Sequence, residues 1–283
     1  MAERIFLGTC DLLPRLIARQ MAQFAAGKLP DFGQFLLVLP GKLARKVVQQ
    51  ELLEIFPAGF LPPQMLTPHL LLHYQRENDP SLIPPAAEEL LWDKALAKAV
   101  GEKEFYPLLF PGGRVPVLRS ASGKSLRDLR RELAAGGVSI ADAADALGAR
   151  GKELAALEKL YLDELDFYGF TDHLQNDREA AMDTAAFAGV QKIILAGLPD
   201  LPKVLLDKLN AIDRDFPGKI QIWIGDDEGK ADFYDLHGMP IAEKWKELHF
   251  DPDISNIHCA VDPADAARRA MLLAPDGVFD PSE

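Results

Sequence analysis

The sequence predicts an α/β protein: a mostly parallel sheet with helices on both faces, interrupted by a helical insertion. Three observations predict it. Short apolar runs recur at both ends of the chain, helical patterns alternate with them, and the middle holds almost no such run. The runs are Arg4–Gly8, Phe35–Leu39, Gln64–Thr67, Lys192–Ala196, Lys219–Ile224 and Asn256–Val261. Most are apolar at consecutive positions rather than alternating, which marks strands buried on both faces of a helix-covered parallel sheet. Helical patterns follow the first, second and fourth runs over Leu12–Phe24, Leu43–Phe56 and Pro202–Ile212.

From Ala86 to Ala188 the longest strand-like run is Val115–Leu118, while helix formers fill Ala86–Val100, Ser125–Ala135, Ile140–Leu147 and Lys152–Tyr168, with Gly136-Gly137 as a stop. Residues 1–75 plus 188–283 therefore read as one discontinuous core with 76–187 inserted. The chain breaks off after a single strand–helix unit at Asp276–Glu283, so it reads as a fragment of a longer protein.

The chain has 283 residues, 48% hydrophobic and 26% charged, which is globular usage and excludes a disordered or collagenous chain. No apolar run reaches the roughly 18–20 residues of a membrane span. Cys10 and Cys259 suggest no disulfide framework, so the expectation is a reduced cytoplasmic protein with no membrane partner. The net charge of −12 argues against a nucleic-acid binder, but its distribution is uneven. Residues 1–131 carry 17 basic and 13 acidic side chains, and residues 132–283 carry 14 and 30. The front half leaves room for one polyanion-facing surface.

A phosphate-binding loop after the first strand needs glycines, a Lys and a Ser or Thr. Gly8-Thr9-Cys10-Asp11 stands there with one glycine, no Lys and an acid where phosphate should sit, so it reads as a degenerate nucleotide loop. Ser122-Gly123-Lys124-Ser125 lacks the earlier glycine of the full pattern, since Leu118 stands there, and reads as a helix entry. Pro199-Asp200 with Glu228-Gly229-Lys230 imitates a nuclease metal site, but the last three lie in a polar turn and read as solvated loop residues. His69 and His73 are four apart and lack a third ligand, so they read as a helix start, and no metal site or catalytic set is expected. Two basic stripes stand out. Lys42, Arg45, Lys46 and Gln49 follow the second strand at helical spacing, and Lys124, Arg127 and Arg131 repeat it with Arg130 beside them. Such stripes suit phosphate backbones, and the first begins where open α/β sheets bind ligands. The bland reading of each is a solvated helix face.

Several segments together resemble the N-terminal part of the AddB-type subunit of bacterial helicase-nucleases, a PD-(D/E)XK nuclease family of DNA-repair proteins. Phe6-Leu-Gly8-Thr9, Phe35-Leu-Leu-Val-Leu-Pro-Gly41 with the basic helix from Lys42, and Leu61-Pro-Pro-Gln-Met-Leu-Thr67-Pro68 are similar to the first three strands of superfamily-one helicase-like domains. Leu157–Leu165 with Gly169-Phe-Thr-Asp172 resembles a helical segment before the second core half, and Val190–Pro202 the strand and loop at the Walker B position. Tyr234–Pro240 with Trp245 also fits.

The resemblance implies a P-loop helicase-like core acting in double-strand-break repair and recombination. The departures, Gly8–Asp11 for the Walker Lys and Gly197-Leu-Pro-Asp200 for an acidic pair, imply that this core no longer hydrolyses ATP. The family's iron–sulfur cysteines and exonuclease motif belong to a C-terminal domain outside these residues.

The expected function is to hold single- or double-stranded DNA, weakly when alone, together with an AddA-type helicase partner, and without cofactor or chemistry in this piece. Lys42, Arg45, Lys46 and Thr67 would contact DNA first, and Lys124, Arg127 and Arg131 second. The rivals are a nucleotide-dependent α/β enzyme and an interaction scaffold using the acidic back half.

Overall fold

A computed structural model describes residues 2–25, 29–77, 79–101, 106, 108–109 and 121–248. The strand expected at Asn256–Val261 and the run Val115–Leu118 lie outside the described residues. Met1–Pro240 form one compact unit and Ile241–Glu283 a second, of which helix Ala242–Glu247 is described.

The first unit is built on a sheet of five parallel strands, β1 (Glu3–Phe6), β2 (Phe35–Val38), β3 (Gln64–Leu66), β4 (Lys192–Ala196) and β5 (Ile220–Ile224), in the order β1-β5-β4-β2-β3. All pairings are parallel, with Ile5 opposite Trp223, Leu195 opposite Ile222 and Leu37 opposite Ile194. Strands from both flanks of the helical middle thus share one sheet. β2 and β5 are buried along their whole length, which is why their sequences run apolar without alternation.

The two faces are covered by different helices. Helices α1 (Leu13–Ala22) and α2 (Lys42–Ile55) pack Ile17, Met21, Val48 and Leu52 against Leu37, Ile194 and Trp223. On the opposite face lie α3 (Pro68–Leu72) and two later helices, α8 (His173–Met182) and α9 (Lys203–Asp215). They pack Leu71, Ala180, Ala181, Leu205, Leu209 and Ile212 against Leu36, Val38, Ile193 and Ile222. The chain moves one way along the sheet from β1 to β3 and back from β3 to β5. A crossover of fixed hand then requires the helices to change face.

Between β3 and β4 lie α4 (Pro85–Gly101), α5 (Ala121–Ala135), α6 (Ile140–Ala144) and α7 (Gly148–Tyr168). α4 and α7 form a separate apolar core in which Trp92 stacks on Tyr161, centroids 4.1 Å apart and 3° from parallel. α8, which has no clear apolar period in the sequence, packs with the sheet's helical layer rather than with this core. Its buried face is mostly Asn176, Ala180 and Ala181, too small and too polar to mark a stripe.

Arg130 ties these parts together. Buried on α5, it donates to Glu158 of α7 at 2.5 Å and, through both terminal nitrogens, to Asp172 at the start of α8 at 2.7 and 2.9 Å. Replacing Arg130 with Met strands two buried carboxylates. The expected loss is about 3–5 kcal/mol in urea unfolding, and a loss below about 1 kcal/mol would show that α5 is held by other contacts.

Lys208 of α9 is buried, and its ammonium donates to the Ala180 and Asp183 carbonyls at the C-terminal end of α8. Burial pushes its pKa down to about 8. The folded value lies below the ordinary one near 10.4, so the unfolded chain binds more protons between about pH 8 and 10.4 and this group's contribution to stability rises across that window. The stability of the native protein minus that of Lys208→Met should therefore grow from pH 7.5 to pH 10, by at most about 3 kcal/mol. A constant difference across paired urea melts would contradict the burial of a charged Lys208.

Candidate functional site

Parallel sheets present ligands at the C-terminal ends of their strands. The loop after β1 turns at Gly8, whose φ of +78° only glycine adopts readily. The Gly8 N–H donates to the Asp226 carbonyl at 3.0 Å, and the Thr9 hydroxyl reaches an Asp227 carboxylate oxygen at 3.4 Å. Asp11 stands two residues before α1 and makes no cap bond to the first turn of that helix. Its Oδ1 accepts the Leu12 N–H at 2.8 Å, and it faces Arg19 at 2.9 Å and Arg15 at 3.5 Å. The Leu12 N–H above all, then Arg19 and Arg15, hold its carboxyl below the usual range. Cys10 is an exposed free thiol. Two acids thus stand at the loop Gly8–Asp11, Asp227 beside Thr9 and Asp11 within it, the latter paired with Arg15 and Arg19.

The Glu228–Lys230 segment is a 3-10 turn after β5. Lys230 binds Asp226 at 2.8 Å, and Tyr234 donates to the other Asp226 oxygen at 2.8 Å. Burial opposes the charge of Asp226, but these bonds and the Asp227 N–H outweigh it and hold its carboxyl low. Asp200 is exposed in the loop after β4. Among the described residues, no group of three His, Cys, Asp or Glu side chains is placed to hold a metal ion.

The first basic stripe opens α2. Lys42, Lys46 and Gln49 are exposed. Arg45 is half-buried and donates from Nη1 to the Met65 carbonyl of β3 at 3.0 Å. The first turn of α2 holds no acid and no side-chain cap, so its cations face the positive end of the helix dipole. The second stripe is differently placed. Lys124 is exposed, but Arg127 pairs with Glu89 and with Asp128 at 3.0 Å, and Arg131 binds Glu88 at 2.7 Å. Gly123 lies inside α5, where an added Cβ would stand 2.6 Å from the Glu89 carbonyl. That glycine serves helix packing.

A cleft of about 1580 Å³ starts at Pro40, Thr67 and Pro202, beyond the ends of β2, β3 and β4, and runs between α3, α5, α8 and α9. Thr67 caps α3 by position, with no side-chain cap bond, and lines this cleft. Arg131 also lines it, whereas Lys124 and Arg127 do not. Sequence reasoning missed most of its polar wall. His73 Nε2 lies 2.8 Å from Asp177, and the His69 and His73 rings are 4.9 Å apart. Arg76, whose buried Nη1 has no hydrogen-bond partner among the described residues, lines the same wall. Across it, His173 Nε2 lies 3.9 Å from Glu88, whose carboxyl burial pushes up despite Arg131 and His173.

No family model matches the chain, and no curated protein matches it.

The acids around Gly8 set an expectation for nucleotides. Calorimetry with Mg-ATP should show no micromolar binding, since Asp11 and Asp227 repel phosphate. Micromolar binding that is lost on substituting Gly8–Asp11 would contradict this arrangement.

Proposed function

We propose that this chain is a non-hydrolysing helicase-like domain that holds a DNA strand at the C-terminal edge of its sheet, within a double-strand-break repair helicase-nuclease subunit. One observation carries the reading. The first five residues of α2 include Lys42, Arg45 and Lys46 near the positive end of the helix dipole, with no acid in the first turn and no side-chain cap. A docked phosphate turns that unfavourable arrangement into a favourable one. The cleft from Pro40 and Thr67 gives a strand room beside it.

The acids around Gly8 support a holding role over a nucleotide-driven one, and they disfavour the rival nucleotide-dependent enzyme. Within this reading Lys42 and Lys46 make the phosphate contacts. Arg45 braces α2 on β3, Thr67 adds a hydroxyl at the cleft mouth, and Lys124 is the freest cation of the second stripe. A motor partner of the AddA type belongs to the same proposal.

The experiment is a salt titration with a single-stranded oligonucleotide. Lys42→Ala with Lys46→Ala should weaken binding and flatten the plot of log affinity against log salt by about 1.4, or about 0.7 per phosphate contact. Arg45→Ala should act mainly on stability. An unchanged slope in the double variant, or no binding by the native chain at low salt, would sink the proposal.

A further inference from the structure

Helix α7 ends in an aromatic pair that the fold does not bury. Phe167 is 77% exposed and Tyr168 50%, and their rings meet edge to face at 5.1 Å and 89°. Lys94 of α4 fixes them. Its ammonium lies 4.7 Å from the Tyr168 ring centroid and 5.7 Å from that of Phe167, and it donates to the Tyr168 oxygen at 2.9 Å. Buried Glu164 binds Lys94 at 2.6 Å and also binds Lys98. Glu164 therefore answers one of the two ammonium charges, and the Lys94 methylene stem joins the apolar surface. Leu90, 66% exposed, stands one turn earlier on the same face of α4. Leu90, Phe167 and Tyr168 are exposed apolar side chains on the packed pair α4 and α7, and Lys94 already holds the two rings, so a partner meets little ordering cost there.

The surrounding charge selects the partner. Asp163 lies one turn before Phe167 on α7, and Asp166 is adjacent to it. Both are exposed, and among the described residues neither makes an ion pair. Two copies meeting through this patch would bring these acids face to face. A nucleic-acid backbone would be repelled in the same way. A cationic, apolar-faced segment satisfies both features.

We propose that the Leu90–Phe167–Tyr168 surface docks a basic amphipathic helix of a partner protein. The helix's apolar face covers the two rings and Leu90, and its Lys or Arg residues meet Asp163 and Asp166. The surface lies on α4 and α7, away from the first turn of α2, and does not rest on the DNA-holding reading.

The test uses two labelled synthetic helices of about 18 residues, five turns, with one apolar pattern: Leu with Lys, and Leu with Glu. Fluorescence anisotropy should show the Leu/Lys helix binding at least about tenfold more tightly than the Leu/Glu helix. Phe167→Ser with Tyr168→Ser should weaken the Leu/Lys helix by about tenfold or more. Asp163→Asn with Asp166→Asn should weaken it several-fold and flatten its salt dependence. Circular dichroism should show both variants folded.

Four results would overturn the proposal. They are equal affinity for the two helices, binding unchanged by the ring substitutions, no binding of the Leu/Lys helix, and a dimer in sedimentation that the ring substitutions abolish. The last would make a second copy the occupant.

Discussion

A crossover between parallel strands packs back onto its sheet with one hand only, and the arrangement of this protein follows from that. Running outward from β1 to β3 places α1 and α2 on one face. Returning from β3 through β4 to β5 places α3, α8 and α9 on the other. The reversal falls at the β3–β4 connection, which carries α4 to α7 and flanks the strand ends that open into the cleft. Strand ends whose following chains leave to opposite faces cannot be roofed by either layer, so a recess forms there without any special residue.

Charge then divides the strand ends between two roles. Around β1 and β5 the protein supplies its own anions. Asp11 accepts the Leu12 N–H just before α1, Asp227 reaches Thr9, and Asp226 gathers Lys230 and Tyr234. Around β2 and β3 it supplies cations, with Lys42 and Lys46 exposed and Arg45 braced on Met65. At the first location the acids are already paired, Asp11 with Arg15 and Arg19 and Asp226 with Lys230, whereas Lys42 and Lys46 at the second stand exposed, in a chain whose total charge is −12. The arginines of α5 are spent internally. Arg127, Arg130 and Arg131 on α5 all face acids of α4, α5, α7 or the start of α8.

The strands were legible because burial on both faces forces unbroken apolar runs, and Lys192–Ala196 reads the same in sequence and structure. Gly136-Gly137 was legible as a stop because Gly137 adopts φ +78°, which side chains resist. α8 was not legible, since alanines and an asparagine bury without an apolar period. The cleft wall was also hidden. His73 and Asp177 are 104 positions apart, and nothing local relates them. Spacing alone could not separate the stripes either. Lys42 and Lys46 repeat the interval of Arg127 and Arg131, yet the first pair faces water and the second faces Glu89 and Glu88. Ser122–Ser125 imitated a phosphate loop because Gly123 was kept small by a neighbouring helix.

The central claim is that a DNA strand lies at the β2–β3 side of the sheet edge and avoids the β1–β5 side. Photocross-linking a bromouracil-substituted single strand to the native chain at low salt, followed by peptide mapping, tests it most directly. The account predicts cross-linked peptides within residues 40–76, which carry the α2 stripe, Thr67 and the α3 wall of the cleft. Cross-links at Gly8–Asp11 or Asp226–Tyr234, or confined to α4 and α7, would contradict it.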